Sequence, residues 1–257
     1  MASGFDGVNQ SLYSGTTPIA GAPPFTMACW FRSDDDTKTA VLMSSADSAA
    51  TNRFHALLMD GTVGGDPLAA WTVYNAGSGW AQSSSGITTG TWHHACGVWT
   101  ATNNRAVFLD GANKGTNATD VTATSLDWMS IGDLWRGFAP QNSYYFTGDI
   151  AENAVWNVAL TDAEVAVLAA GYSPLFVRPQ NLVAYWPSIR GTVQSIVGSI
   201  PYAFANANGV TVEPHPPILY PYGYVTPGRA APATLPGGTI FASSVLNSAI
   251  FGGTIVR

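Results

Sequence analysis

The sequence is short of charge. Of its 257 residues only 10% are Asp, Glu, Lys or Arg, against roughly 25% in an average soluble domain. Lysine occurs twice, as Lys38 and Lys114, and glutamate three times, as Glu152, Glu164 and Glu213. That shortage disfavours long surface helices and coiled coils, which draw on both residue types. The basic residues stand singly in a chain of net charge −6. No nucleic-acid groove and no polybasic membrane patch is therefore expected. No run of 18 apolar residues occurs, so no membrane span is expected. The opening Met1-Ala2-Ser3-Gly4-Phe5-Asp6 has neither a basic n-region nor an apolar h-region, and no signal peptide is read there. Cysteine occurs twice, at Cys29 and Cys96, in two expected core strands. Two buried reduced thiols are one reading. A disulfide is the other, and it requires an oxidising compartment and Cα atoms within about 7 Å.

What is abundant points to strands and turns. There are 27 Gly, 16 Pro, nine Trp, ten Tyr and eleven Phe, residues of turns and of pleated, half-buried surfaces. Phe25, Met27, Cys29 and Phe31 alternate with their neighbours, as in a strand laid on a core. Strands are predicted at 41–45, 54–59, 69–74, 92–100, 105–109, 125–131, 144–146 and 149–156. Gly77-Ser78-Gly79 reads as a break, and Asp110-Gly111 as a tight hairpin turn. One helix is predicted over 161–170. Thr161 is its N-cap, Glu164 completes a capping box, and Gly171 stops it. Strands recurring every 8–12 residues predict an all-β sandwich or jelly roll over residues 1–171.

Beyond Tyr172 the composition changes. Residues 172–236 hold most of the prolines and read as an extended Pro- and aromatic-rich segment, since Pro removes a backbone donor. Residues 237–257 form an apolar, β-prone tail in which Gly-Gly-Thr-Ile-Phe recurs as Gly-Gly-Thr-Ile-Val. Ile240, Phe241, Val245, Leu246, Ile250, Phe251 and Ile255 are the expected assembly residues. Exposed on a monomer such a stretch is an aggregation hazard, so pairing with another chain is expected.

Several blocks carry a family resemblance. They are Gly4–Asn9, Phe25–Phe31, Trp92-His93-His94-Ala95-Cys96-Gly97-Val98-Trp99, Val107–Gly111 and Phe146–Glu164. In order and spacing they resemble the laminin G-like, concanavalin A-like jelly roll over about residues 4–171. Asn181–Pro187 and His215–Ile218 resemble extensions of such domains in tailed-phage structural proteins. The resemblance implies a non-enzymatic virion structural protein, made in the host cytoplasm. It would be a capsid decoration, head-surface or tail appendage protein, assembling with itself, as a trimer by analogy, and with capsid proteins. The alternative it implies is a lectin-like adhesion or receptor-binding module for a cell-surface glycan.

Relatives of this jelly roll include glycosidases, which need two carboxylates across the scissile bond. Their Glu-x-Asp-x-x-Glu strand is absent, and the odd spacing of Asp149 and Glu152 predicts opposite faces. His93 and His94 also alternate, so they are not expected to share a zinc ion. For glycan binding the loop aromatics Trp80, Trp135 and Tyr144 are the candidates. The resemblance allows calcium, for which Asp133, Asp110 and Asp149 are the candidate ligands beside their ordinary role of capping turns.

Overall fold

The computed structural model describes residues 1–19, 21–137, 139–140, 144–188, 195–197 and 205–221. In chain order its strands are β1 (Ala2–Asp6), β2 (Ser11–Ser14), β3 (Phe25–Ser33), β4 (Ala40–Ala46), β5 (Arg53–Met59) and β6 (Pro67–Tyr74). Then come β7 (Gly77–Gly86), β8 (His93–Ala101), β9 (Asn104–Leu109), β10 (Ala112–Asn117), β11 (Trp128–Ile131), β12 (Trp135–Arg136) and β13 (Ala139–Pro140). After β14 (Thr147–Trp156) the helix α1 (Asp162–Ala169) precedes β15 (Leu182–Trp186), β16 (Ala205–Ala207) and β17 (Thr211–Glu213).

Two antiparallel sheets result. The first runs β10-β9-β8-β3-β14-β1-β17, with β15 also paired to β14. The second runs β16-β2-β11-β4-β5-β6-β7. The ribbon β12–β13 crosses the outer face of the second sheet, where Leu134 packs with Val41, Phe54, Leu58 and Ala69. The fold is the predicted jelly-roll sandwich. Its interior holds the predicted alternating face, Phe25, Met27, Cys29 and Phe31, against Met43, Leu57, Ala70 and Ala81 of the second sheet. Burying each of the larger of these side chains contributes roughly 1.5–3 kcal/mol.

One polar chain crosses this interior with every proton assigned. The Trp99 indole N–H donates to Thr72 Oγ1 at 2.8 Å. The Thr72 hydroxyl donates to His55 Nδ1 at 2.8 Å, and His55 Nε2–H donates to the Gly21 carbonyl at 2.7 Å. A neutral imidazole is what this order of donors and acceptors requires.

The outer face of the first sheet is covered by α1, through Val165 and Leu168 against Ala28, Cys96, Phe108 and Trp156. The capping box forms as predicted between Thr161 and Glu164. Asp110 and Gly111 have φ of 54° and 71°, the left-handed pair of a tight hairpin turn.

Three expectations change. Gly77–Gly79 does not break the chain, because these residues begin β7. Gly79 leaves the space that the Arg105 guanidinium fills: a Cβ there would lie 1.7 Å from Nη1. Strand pairing at 125–131 is confined to Trp128–Ile131, and 144–146 is not a strand. The sandwich also does not end at 171. β15 and β17 join the first sheet and β16 the second, and residues 1–224 form one compact unit. Of the two readings of the cysteines, the buried reduced thiols hold. Cys29 stands opposite Ala95 and Cys96 opposite Ala28, which places one in the interior and the other under α1. Both are free and buried. The expected assembly residues of 237–257 lie outside the described residues.

Candidate functional site

The outer face of the second sheet is where aromatic side chains gather. Along β5, β6 and β7 the interior takes His55, Leu57, Leu68, Ala70, Thr72 and Ala81, and the alternate positions Phe54, Ala69, Trp71 and Trp80 fall on the outer face. Trp71 lies directly across from Trp80, because the turn at Asn75-Ala76 pairs Tyr74 with Gly77. Their ring centroids are 4.9 Å apart at 62°. Tyr144 joins them, 6.3 Å from Trp71. Arg136 lies over Phe54 at 4.8 Å and over Tyr144 at 6.0 Å. All these rings except that of Phe54 are half-buried.

Polar groups frame this cluster. The Trp71 indole N–H donates to Ser78 Oγ at 2.9 Å. Gln82, two residues from Trp80 on the same face, donates through Nε2 to Asp60 Oδ2 at 2.8 Å. On β2 and β11 of the same face, Tyr13, Trp128 and Trp135 stack with centroids 4.4–5.5 Å apart. Trp80 and Tyr144 thus meet at Trp71, while Trp135 belongs to the second aromatic group. Neither Trp80 nor Trp135 stands in a loop: the first lies in β7 and the second in β12. Tyr13, Trp71, Trp128 and Arg136 were not anticipated. Reading 77–86 as a strand after a turn at Asn75-Ala76 would have paired Trp71 with Trp80.

The three candidate metal ligands are dispersed. Asp133 is buried at the end of β11, with Oδ1 accepting from Leu134 N–H at 2.6 Å. Asp110 accepts from His93 Nδ1–H at 2.7 Å and from His94 N–H at 2.8 Å. Asp149 Oδ2 holds the Arg32 guanidinium through Nε at 2.8 Å and Nη2 at 2.5 Å. Among the described residues no three His, Cys, Asp or Glu side chains converge in a way that would hold a metal ion.

The histidines are structural. The backbone N–H of Thr88 donates to His93 Nε2, which leaves Nδ1–H for Asp110. His94 is buried against Trp30, with centroids 5.5 Å apart, and burial lowers it to about 4.

The expectation for Asp149 and Glu152 is overturned. A β-bulge between Ala151 and Ala154 interrupts the β14–β3 register, and Glu152 adopts φ of 56°. The inserted residue changes the parity, so both carboxylates lie on the outer side of the first sheet. They still do not share a site. Glu152 is 2% exposed and accepts from the Tyr185 hydroxyl and from the Tyr220 hydroxyl at 2.6 Å, with His215 Nε2 3.1 Å from Oε1. Asp149 faces an open cavity that Glu152 does not line.

Two packed antiparallel sheets in this order are the architecture of the lectin-like jelly rolls. The chain belongs to the concanavalin A-like lectin/glucanases superfamily, whose family model matches residues 6–166. A search among curated proteins finds no match. Solved structures share the fold. The native heptameric SAP-like pentraxin of Limulus polyphemus is 19% identical with a TM-score of 0.60, over 82% of this chain and 93% of that one. Domain 4 of the extracellular arabinanase AbnA of Geobacillus stearothermophilus, solved with arabinotriose, is 20% identical with a TM-score of 0.51, over 65% and 76%. The CBM40 of the Ruminococcus gnavus IT-sialidase, solved with α2,3-sialyllactose, is 12% identical with a TM-score of 0.53, over 65% and 96%.

Proposed function

We propose that the chain is a non-catalytic carbohydrate-binding module that seats a glycan on the outer face of its second sheet. The observation that carries this is the meeting of Trp71, Trp80 and Tyr144 on one sheet face, framed by Ser78, Gln82 and Arg136. Aromatic faces take the C–H side of a sugar ring while nearby polar groups take its hydroxyls. Two of the relatives of like fold were solved with arabinotriose and sialyllactose, which agrees with the reading. Its non-catalytic part rests on the carboxylates: Asp149 is committed to Arg32, and Glu152 is enclosed by two phenols and an imidazole.

Glycan-array screening of the full chain, followed by calorimetry with the glycan that binds best, tests the proposal. Trp80→Ala and Tyr144→Ala are expected to weaken binding at least tenfold while the chain still unfolds cooperatively. Full affinity in both variants would remove this face from consideration.

A second reading has support in the sequence of residues 237–257, where the only charge is Arg257. It is the structural role in a virion, with assembly through that stretch. Light scattering of the full chain against a chain ending at Tyr224 decides it. An oligomer that becomes a monomer on truncation supports assembly, and a monomeric full chain refutes it. Ending the chain at 171 would be uninformative, because it removes β15–β17 from the sheets.

A further inference from the structure

The helix α1 is apolar on every side. Its inner face sets Val165 and Leu168 against the first sheet. At the helical period the opposite stripe is Ala163, Ala166, Val167 and Ala170, and all four are exposed. A surface helix ordinarily carries polar residues on that stripe, and a helix that is apolar all round belongs in an interior. Charge on α1 is confined to Asp162 and Glu164 of the first turn, which fall on its two flanks.

The apolar surface continues past the helix. The backbone N–H of Tyr172 donates to the Val167 carbonyl at 3.4 Å, which turns the chain back beside the stripe. The rings of Tyr172 and Phe176 meet edge to face with centroids 5.8 Å apart. Leu219 is held in a parallel bridge to Tyr172. Its N–H donates to the Gly171 carbonyl at 2.8 Å, and its carbonyl accepts from Ser173 N–H at 2.9 Å. Val167, Tyr172, Phe176 and Leu219 are 39%, 41%, 45% and 55% exposed, and they make up half of the eight exposed large apolar side chains among the described residues. Such residues scattered singly need no explanation, whereas a contiguous group marks an interaction surface.

We propose that this face is the contact surface for a second copy of the chain, which meets it face to face about a two-fold axis. Charge selects the partner. In an isologous contact a patch meets its own copy, so a charged patch repels itself. The flanks of this one are internally neutral: Lys114 pairs with Asp162 at 2.8 Å and Arg178 with Glu164 at 2.5 Å. A chain of net charge −6 meets its copy with least repulsion through such a face. Aromatic rings among uncharged residues are also the composition of an interface core. The chain runs on from this face at Pro221 into residues 222–257, so a two-fold pair starts both of those stretches from the same contact. The aromatic face lies on the other sheet and stays open in both copies. This contact does not depend on glycan binding.

Sedimentation velocity of the full chain across a concentration series, beside Phe176→Asp and Leu219→Asp, tests the proposal. The parent chain is expected to associate in pairs. Each substitution puts an unpaired charge at the centre of the contact and should weaken the pair about tenfold or more. Both positions are exposed, so both variants should keep the parent's near-ultraviolet circular dichroism and unfold cooperatively. Val63→Asp, at an equally exposed residue in the turn between β5 and β6, should leave the pair intact. A chain ending at Tyr224 should still pair, which separates this contact from assembly through residues 237–257. A monomeric or three-fold full chain, a pair that survives both substitutions, or one that Val63→Asp disrupts equally would overturn the proposal. So would a pair lost on truncation at Tyr224, which would assign the contact to the partner's later residues instead of its matching face.

Discussion

Arg105→Met removes a buried charge held by backbone carbonyls and an amide, with Asp120 acting on it only through space. Arg105 is 0% exposed. Its Nη2 donates to the carbonyls of Thr102 at 2.7 Å, Thr119 at 2.9 Å and Val121 at 2.9 Å, and Nη1 donates to Asn117 Oδ1. One side chain therefore ties β9 to the 117–121 loop and fills the space under Gly79 of β7. Methionine keeps the stem and loses every donor. Asn117 and Thr119 lie near solvent, so water replaces much of what they lose. Val121 is buried, and a stranded buried carbonyl costs roughly 1–3 kcal/mol. The other lost hydrogen bonds add about 1 kcal/mol together after resolvation, while removal of a buried charge gives some stability back. The net expectation is about 2 kcal/mol. For a domain of this size that is a fall in Tm of roughly 4–8 °C, measured by near-ultraviolet circular dichroism. Because Arg105 also blocks a Cβ at Gly79, Gly79→Ala should be harmful in the parent chain and much less so with Arg105→Met. A loss under 1 kcal/mol, or simple additivity of the two changes, would refute this account of the buried guanidinium.

Three further outcomes are expected. Burial holds His55 and His94 down to about 4 in the folded chain, against an ordinary 6.5, so between those values the unfolded chain binds more protons. Their contribution is fully present above pH 6.5 and is lost as pH falls towards 4, at roughly 1.4 kcal/mol per pH unit for each histidine. Urea titrations at pH 7 and pH 5 measure that slope, and a His94→Leu chain with an unreduced slope would contradict it. Burial raises both cysteine thiols, so thiol reagents should react only after unfolding, and reductant should leave Tm unchanged. Thr161→Ala should cost about 1 kcal/mol through the lost cap; a thermal scan in which Tm stays put would show that the helix end is held by other contacts.

The parts of the molecule that follow from local rules were legible before the fold was known. The alternation from Phe25 to Phe31, the Asp110-Gly111 turn and the Thr161–Glu164 capping box each need only a few neighbouring residues. The aromatic site was legible only in fragments. Trp80, Trp135 and Tyr144 were identified, but the Gly77–Gly79 segment hid the strand that carries Trp80. Glycine there supplies no turn; it makes room for Arg105, a residue 26 positions away in sequence. No local pattern encodes such a long-range steric demand. The dispersal of Asp110, Asp133 and Asp149 was equally invisible, because three loop aspartates become a metal site only if the topology brings them together.

The boundary at 171 failed for a related reason, and β14 shows it best. On the side away from β3, the first part of β14 pairs with β1 and the second with β15. The division falls at the bulge where Glu152 takes a positive φ. A non-glycine residue in that region is strained and persists only when its surroundings hold it. Here Tyr185 of β15, with Tyr220 and His215 of the segment after β17, converge on its carboxylate. All three lie beyond residue 171. Removing residues after 171 would leave a buried, strained glutamate without its donors, and would also remove Glu213 from the open cavity beside Asp149. The described residues after the family match are therefore structural components of the sandwich up to Pro221, and Thr211 and Glu213 supply one wall of the cavity while Tyr185 and Tyr220 clasp β14.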